Sequence, residues 1–136
     1  MKELKILMID DHEDDMILVR EMLDDAGFAG DLELALGAAA AWEYLEKKRG
    51  MKRLEEIGLI FLDLNMPLQN GFELMMELKS DPDFKEIPVV MISGSRREEE
   101  RQEALLKGAV AYLTKPISFE GLVSAVQGLA MKWSLS

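Results

Sequence analysis

Two short segments of the chain, residues 59–62 and 88–92, carry only apolar side chains. A strand without alternation of polar and apolar residues predicts burial on both faces, which is typical of the central strands of a parallel sheet. Residues 31–36 instead alternate polar and apolar side chains, which predicts a strand at the edge of the sheet. These patterns restrict the chain to folds built around a covered, open sheet.

Strand patterns alternate with helical patterns along the whole chain. The strand patterns span residues 4–9, 31–36, 59–62, 88–92 and 110–113, and the helical patterns span residues 14–26, 37–48, 72–79, 96–106 and 119–132. This alternation predicts five parallel strands with five helices on both faces of the sheet. We therefore expect an α/β, doubly wound fold, with residues 1–136 forming one domain and no separate output domain.

The composition excludes several classes of function. The net charge of −10 argues against a broad basic face for nucleic acid. The absence of cysteine excludes disulfides, thiolate metal sites and a cysteine nucleophile, and it fits a cytoplasmic protein. No apolar stretch approaches the roughly 18 residues that cross a bilayer. We therefore expect neither nucleic acid nor a membrane as a direct partner.

Carboxylate, hydroxyl and ammonium side chains follow four of the five predicted strands. The first strand is followed by Asp10 and Asp11, the third by Asp63, the fourth by Ser93 and the fifth by Lys115. Because the carboxyl ends of parallel strands share one edge of the sheet, these side chains should converge there.

The convergence of these groups predicts phosphoryl chemistry. Three carboxylates in one place repel one another unless a cation lies between them, and an oxygen-rich pocket suits Mg²⁺. Lys115 could hold one phosphoryl oxygen as a point charge, and the Ser93 hydroxyl could donate to another. With this positive charge in place, the Asp63 carboxylate could act as a nucleophile and carry an acyl phosphate.

These motifs resemble the receiver domain of the bacterial two-component response regulators. The resemblance rests on Asp10-Asp11, on residues 63–67 with Gly71, on Ser93-Gly94 and on Lys115-Pro116, and it covers essentially the whole chain. It implies the flavodoxin-like strand order 2-1-3-4-5. Segments 50–56 and 80–88 resemble the small single-domain regulators that are associated with bacterial phytochrome kinases.

The resemblance implies how the phosphoryl group and the metal are held. Asp63 would accept the phosphoryl group from a phosphohistidine of a sensor histidine kinase. The implied ligands of Mg²⁺ are oxygens from Asp10, Asp11, Asp63 and the backbone carbonyl of Asn65. Lys115 would pair with the phosphoryl oxygens, and Pro116 would follow a cis peptide bond.

The resemblance also implies a switch. Ser93 would move toward the phosphoryl group and leave space for Tyr112 to turn inward. A downstream protein would then bind a changed surface formed by the fourth helix, the fifth strand and the fifth helix. The chain would act as a monomer or a homodimer.

Simpler interpretations of the same residues stay open. The acidic pair after the first strand could cap the first helix. Ser93 could be a turn residue, and Tyr112 a half-buried strand aromatic. His12 is expected to be exposed near the helix start rather than a metal ligand. Residues 96–101 predict a solvated helix face with local ion pairs.

Two other functions compete with the switch. A pseudo-receiver, an interaction module that never carries phosphate, would normally lack Asp63, Lys115 or the acidic pair, and this chain retains them all. A phosphatase of the haloacid-dehalogenase type has its nucleophile in an Asp-x-Asp motif on the first strand. Here Asn65 stands two residues after Asp63, and the acidic pair comes first. We therefore expect a phospho-accepting protein that is not a turnover enzyme.

Overall fold

The fold is built around a parallel sheet. The computed structural model describes residues 5–28 and 30–135, with side chains up to residue 127. In this part of the chain the strands are β1 (Lys5–Asp10), β2 (Asp31–Leu36), β3 (Ile57–Asp63), β4 (Val89–Ser93) and β5 (Ala111–Thr114). All the pairings are parallel, in the order β2-β1-β3-β4-β5. The predicted fold class and the implied strand order are confirmed.

Helices cover both faces of this sheet. Over the described residues they are α1 (Glu13–Asp25), α2 (Ala38–Gly50), α3 (Gly71–Ser80), α4 (Glu98–Leu106) and α5 (Phe119–Leu135), with a 3-10 turn at Leu54–Glu56. Successive strand side chains point to opposite faces. Leu7 and Ile60 accordingly pack with α2, α3 and α4, whereas Ile6 and Phe61 pack with α1 and α5. None of the helices described is long and apolar enough to span a membrane.

The predicted positions of the strands in the sheet are confirmed. Every residue of β3 and β4 is buried and both strands are paired on two sides, whereas β2 lies at an edge and alternates in exposure. β3 begins at Ile57, two residues earlier than predicted, because Gly58 interrupts the apolar run without interrupting the strand. Leu4, the predicted start of the first strand, lies outside the described residues.

The start of α4 differs from the prediction. Helical spacing predicted a start at residue 96, but the helix begins at Glu98. The Ser95 hydroxyl accepts a hydrogen bond from the Arg97 backbone N–H at 3.2 Å. This local bond competes with helical hydrogen bonding and keeps Arg97 extended, with φ −71° and ψ 131°.

Candidate functional site

The carboxyl edge of the sheet brings the predicted site residues together. Asp10, Asp63 and Ser93 are the last residues of β1, β3 and β4, and all three are buried. Lys115 directly follows β5, and its Nζ lies 3.2 Å from Asp10 Oδ2 and 3.4 Å from Asp63 Oδ2. The parallel topology therefore gathers groups that are up to 105 residues apart in the sequence.

The acidic cluster fits a divalent cation. Ligand atoms of Asp10, Asp11, His12 and Asp63 lie within 4.8 Å of one another. Asp11 Oδ1 is buried and accepts no hydrogen bond from the described residues, although it lies 3.0 Å from His12 Nδ1. A buried carboxylate oxygen without a donor is costly unless a cation binds it. The oxygen-rich donor set is the kind that hard divalent cations prefer.

The surroundings of Asp63 disfavour its charged form. Burial and the neighbouring Asp10 raise the pKa of Asp63 from 3.8 to about 6. The Asn65 backbone N–H, which donates to Asp63 Oδ1 at 3.1 Å, and the Lys115 ammonium act in the opposite direction. Asn65 and Lys115 thus stabilise the negative charge of Asp63 only in part. This incomplete compensation also favours a cation beside the carboxylate.

The acidic pair is not a cap of α1. Asp10 Oδ1 accepts from the backbone N–H of His12 at 2.9 Å, one residue before the helix begins. His12 is the N-cap residue, and its side chain forms no capping hydrogen bond. The His12 side chain is 62% exposed, as the sequence predicted.

Lys115 has a carboxylate partner that was not predicted from the sequence. Its Nζ lies 2.7 Å from Asp15 Oδ2. Burial works against the Lys115 charge, but Asp15, Asp10 and Asp63 outweigh it and raise the pKa of the ammonium above its ordinary value. Asp15 lies one helical turn before the buried Val19. That spacing of four residues was a signal that Asp15 faces the sheet.

Glu100 contradicts the predicted solvated face of residues 96–101. The Ser93 hydroxyl donates to Glu100 Oε1 at 2.6 Å, and the Glu100 side chain is only 11% exposed. The expected local ion pair between Arg97 and Glu100 does form. Glu100 lies one turn before Ala104, which is fully buried. Its place on the inward stripe of α4 explains why it points toward the site.

Tyr112 is half-buried and points toward the start of α4. Its hydroxyl lies 2.7 Å from Glu100 Oε1 and 2.7 Å from the Ser95 carbonyl oxygen. Asn65 Nδ2 donates to Ser93 Oγ at 3.3 Å, so Asn65 contacts both Asp63 and Ser93. A chain of contacts therefore runs from the end of β3 through β4 and α4 to β5.

The loops after β3 and β5 have special backbone geometry. The Gly71 N–H donates to the Leu64 carbonyl at 2.8 Å. A Cβ at position 71 would lie 2.7 Å from the Asp63 carbonyl oxygen, so only glycine fits against this loop. The Lys115–Pro116 peptide bond is cis.

Comparison with known proteins agrees with this geometry. The family model described as the response regulator receiver domain matches residues 6–127. Response regulator Rcp1 of Synechocystis sp. is 32% identical over 128 residues, which cover 94% of this chain and 87% of that protein.

Solved structures show the same likeness. The phosphorylated cyanobacterial phytochrome response regulator RcpA is 30% identical, with a TM-score of 0.75 over 96% of this chain and 94% of that chain. The Mn²⁺-bound form of response regulator Rcp1 is 32% identical, with a TM-score of 0.69 at the same coverage. The chain therefore belongs to the receiver domain family of the two-component response regulators.

Proposed function

We propose that the protein is a signalling switch in which Asp63 accepts a phosphoryl group from a phosphohistidine of a sensor histidine kinase. The observation that carries this proposal is the convergence of Asp63, Lys115 and the buried Asp11 oxygen, which accepts no hydrogen bond from the described residues, at one edge of the sheet. A carboxylate nucleophile, a fixed ammonium and a place for a cation are what phosphoryl transfer to an acid requires.

In this reaction an Asp63 carboxylate oxygen forms a bond to phosphorus while the bond between phosphorus and the histidine nitrogen breaks. The bonding electrons pass to that ring nitrogen, and the ring, which carries a proton on its other nitrogen, leaves as neutral imidazole. Lys115 pairs with the phosphoryl oxygens, and the Ser93 hydroxyl donates a hydrogen bond to one of them.

A divalent metal belongs to the same proposal. The proposed ligands are oxygens from Asp10, Asp11, Asp63 and the backbone carbonyl of Asn65, and the proposed ion is Mg²⁺. When bound, the ion supplies positive charge that offsets the carboxylates and the incoming phosphoryl group. The raised pKa of Asp63 and the unpartnered Asp11 oxygen support this assignment.

The proposed readout is the surface formed by α4, β5 and α5. Hydrogen bonds connect Ser93 at the site to Glu100 on α4 and Tyr112 on β5, which supports this choice. A downstream protein would bind this surface in the phosphorylated state. The likeness to RcpA, a phytochrome response regulator, supports a phytochrome-type kinase as the phosphoryl donor.

The test is incubation with acetyl phosphate and Mg²⁺ followed by measurement of the intact mass. We expect a single labile phosphoryl adduct that is absent from Asp63→Asn and absent when EDTA is added. The matched control is Asp14→Asn, which changes an exposed carboxylate on α1 and should keep the adduct. The absence of any adduct would favour the pseudo-receiver, and the release of many phosphates per protein would favour the phosphatase.

A further inference from the structure

One oxygen of Glu100 lies close to two hydroxyl groups of the proposed switch. Glu100 Oε1 is 2.6 Å from Ser93 Oγ and 2.7 Å from the Tyr112 hydroxyl. A hydrogen bond of this length to a carboxylate is charge-assisted and stronger than a neutral one. Glu100 thus connects the buried end of β4 with the half-buried edge strand β5.

The Ser93 hydroxyl has only one proton to donate. Two other neighbours, Asn65 Nδ2 and the Ser95 backbone N–H, donate to Ser93 Oγ at 3.3 and 3.1 Å, so the Ser93 proton goes to Glu100. A phosphoryl oxygen is an acceptor and needs that same proton. Ser93 can therefore bond to a phosphoryl group on Asp63 only after it gives up its bond to Glu100.

The Tyr112 hydroxyl likewise has more nearby acceptors than protons. Its single hydroxyl proton has two acceptors at 2.7 Å, Glu100 Oε1 and the Ser95 carbonyl oxygen. While Ser93 also donates to Glu100, the carboxylate oxygen shares its acceptor capacity between two donors. Once Ser93 leaves, Glu100 becomes the stronger acceptor for Tyr112.

Glu100 is ionised in this arrangement. Burial works to raise its pKa, but hydrogen bonds from Ser93 and Tyr112, together with Arg97, outweigh burial and lower the pKa below its ordinary value. The neighbouring Glu99 is exposed and makes none of these contacts. Of these two residues, only Glu100 therefore interacts with Ser93 and Tyr112.

We propose that Glu100 is a positioning residue that competes with the phosphoryl group for the Ser93 proton and transmits the loss of that bond to Tyr112. The inference rests on the proposed function, since it requires phosphorylation of Asp63. In this proposal Glu100, on α4, stabilises the unphosphorylated state by accepting the hydrogen bond of Ser93.

The experiment uses the chain of 136 residues with acetyl phosphate and Mg²⁺ as probes. The initial rate of adduct formation is measured from the intact mass for wild type, Glu100→Ala and the matched control Glu99→Ala. Removal of the competing acceptor should raise the rate of Glu100→Ala about ten-fold, the size of one charged hydrogen bond. A loss of structure would slow the reaction instead, so the sign of the change separates the two effects.

A second readout follows Tyr112 directly. The chain has two tyrosines, and labelling with 3-fluorotyrosine gives one fluorine NMR signal for each. Tyr44 lies on α2 and serves as the internal reference. In wild type and Glu99→Ala, phosphorylation should shift the Tyr112 signal, whereas in Glu100→Ala this response should be lost.

The outcomes separate this inference from the proposed function. An absence of adduct in the wild type would overturn both. An adduct in the wild type, combined with rates for both Glu100→Ala and the conservative Glu100→Gln that do not exceed that of Glu99→Ala, would overturn the role of Glu100 alone. So would a Tyr112 response that persists in Glu100→Ala. Glu100→Gln keeps the side-chain volume and one acceptor oxygen, and it should change the rate in the same direction by a smaller factor.

Discussion

Lys115 Nζ lies closer to Asp15 Oδ2, at 2.7 Å, than to Asp10 Oδ2 or Asp63 Oδ2, at 3.2 and 3.4 Å. One ammonium thus compensates three carboxylates, two of which are buried. We predict that Lys115→Ala destabilises the cation-free protein by about 2–3 kcal/mol, because it leaves these charges unpaired. Mg²⁺ should then raise the melting temperature of the variant by more than that of the wild type.

Thermal unfolding with Mg²⁺ or with EDTA checks this prediction. Lys47→Ala is the control, because Lys47 is exposed on α2, away from the carboxylates. An equal effect of Mg²⁺ on Lys115→Ala and wild type would show that Lys115 and the cation do not compensate the same charges.

Asp11 should matter for metal binding and little for folding. Its Oδ1 is buried without a hydrogen bond among the described residues, so Asp11→Asn removes charge and affects only the contact with the exposed His12 ring at 3.0 Å. We expect the Mg²⁺ affinity to fall at least roughly ten-fold, since affinity for hard cations follows the charge of the ligands. Stability in EDTA should stay unchanged or rise slightly. Calorimetric titration with Mg²⁺ measures the affinity, and Asp14→Asn is the control; an unchanged affinity would remove Asp11 from the ligand set.

The stability of the cation-free protein should depend on pH through Asp63. Because burial and Asp10 raise its pKa from 3.8 to about 6, the folded chain binds this proton more tightly than the unfolded chain. The resulting stabilisation is complete below about pH 3.8 and is lost as the pH rises through about 6. Asp63→Asn cannot ionise at this position. Its free energy of unfolding should therefore exceed that of the wild type by up to about 3 kcal/mol at neutral pH.

Urea unfolding in EDTA across this pH range tests that difference. The advantage of Asp63→Asn should disappear below about pH 4, where Asp63 is protonated in both states. An advantage that grows as the pH falls would mean that the carboxylate is stabilised in the folded state.

Gly71→Ala should disturb the loop that carries Asp63. The new Cβ would meet backbone atoms, the Asp63 carbonyl oxygen at 2.7 Å and Leu64 Cα at 2.8 Å. We expect a loss of about 1–3 kcal/mol in the free energy of unfolding and a slower reaction with acetyl phosphate. At Gly94 a Cβ would meet nothing within 4 Å, so Gly94→Ala is the matched control. Chemical denaturation should separate the two, and equal stability would mean that the loop can shift freely.

The two tyrosines should respond differently to loss of the hydroxyl. Tyr44 is half-buried, its hydroxyl oxygen is buried without a hydrogen bond among the described residues, and burial together with Glu33 raises its pKa to about 12. Tyr44→Phe should therefore be neutral or stabilising by up to about 1 kcal/mol. Tyr112→Phe loses a bond to Glu100 and should cost about 1 kcal/mol. Urea unfolding measures both, and a destabilised Tyr44→Phe would reveal a partner for that hydroxyl.

The sheet was predictable because its signals are local and repeated. Apolar runs mark the buried strands, and an alternating run marks the edge strand β2. Parallel topology then dictates that residues such as Asp63 and Ser93 meet at one edge. The strand order itself came from the resemblance, because several orders bury these strands equally well.

The roles of Asp15 and Glu100 were not predicted. A carboxylate in the first turn of a helix ordinarily interacts with the helix dipole and with water. Whether it faces the site depends on the rotation of the helix about its axis, which packing against the sheet decides. Spacing of four residues to Val19 and to Ala104 was the available signal, and it is weak in short helices rich in charge.

The shared Glu100 oxygen also constrains any partner that binds near α4. If phosphorylation changes the affinity for a partner through Ser93, Glu100 and Tyr112, thermodynamic linkage requires the partner to change the phosphorylation equilibrium by the same factor. A target that prefers the arrangement without the bond between Ser93 and Glu100 would therefore shift the equilibrium toward the phosphorylated state to which it binds. Under the proposed mechanism, binding at the outer surface and phosphorylation at the carboxyl edge of the sheet would each favour the other.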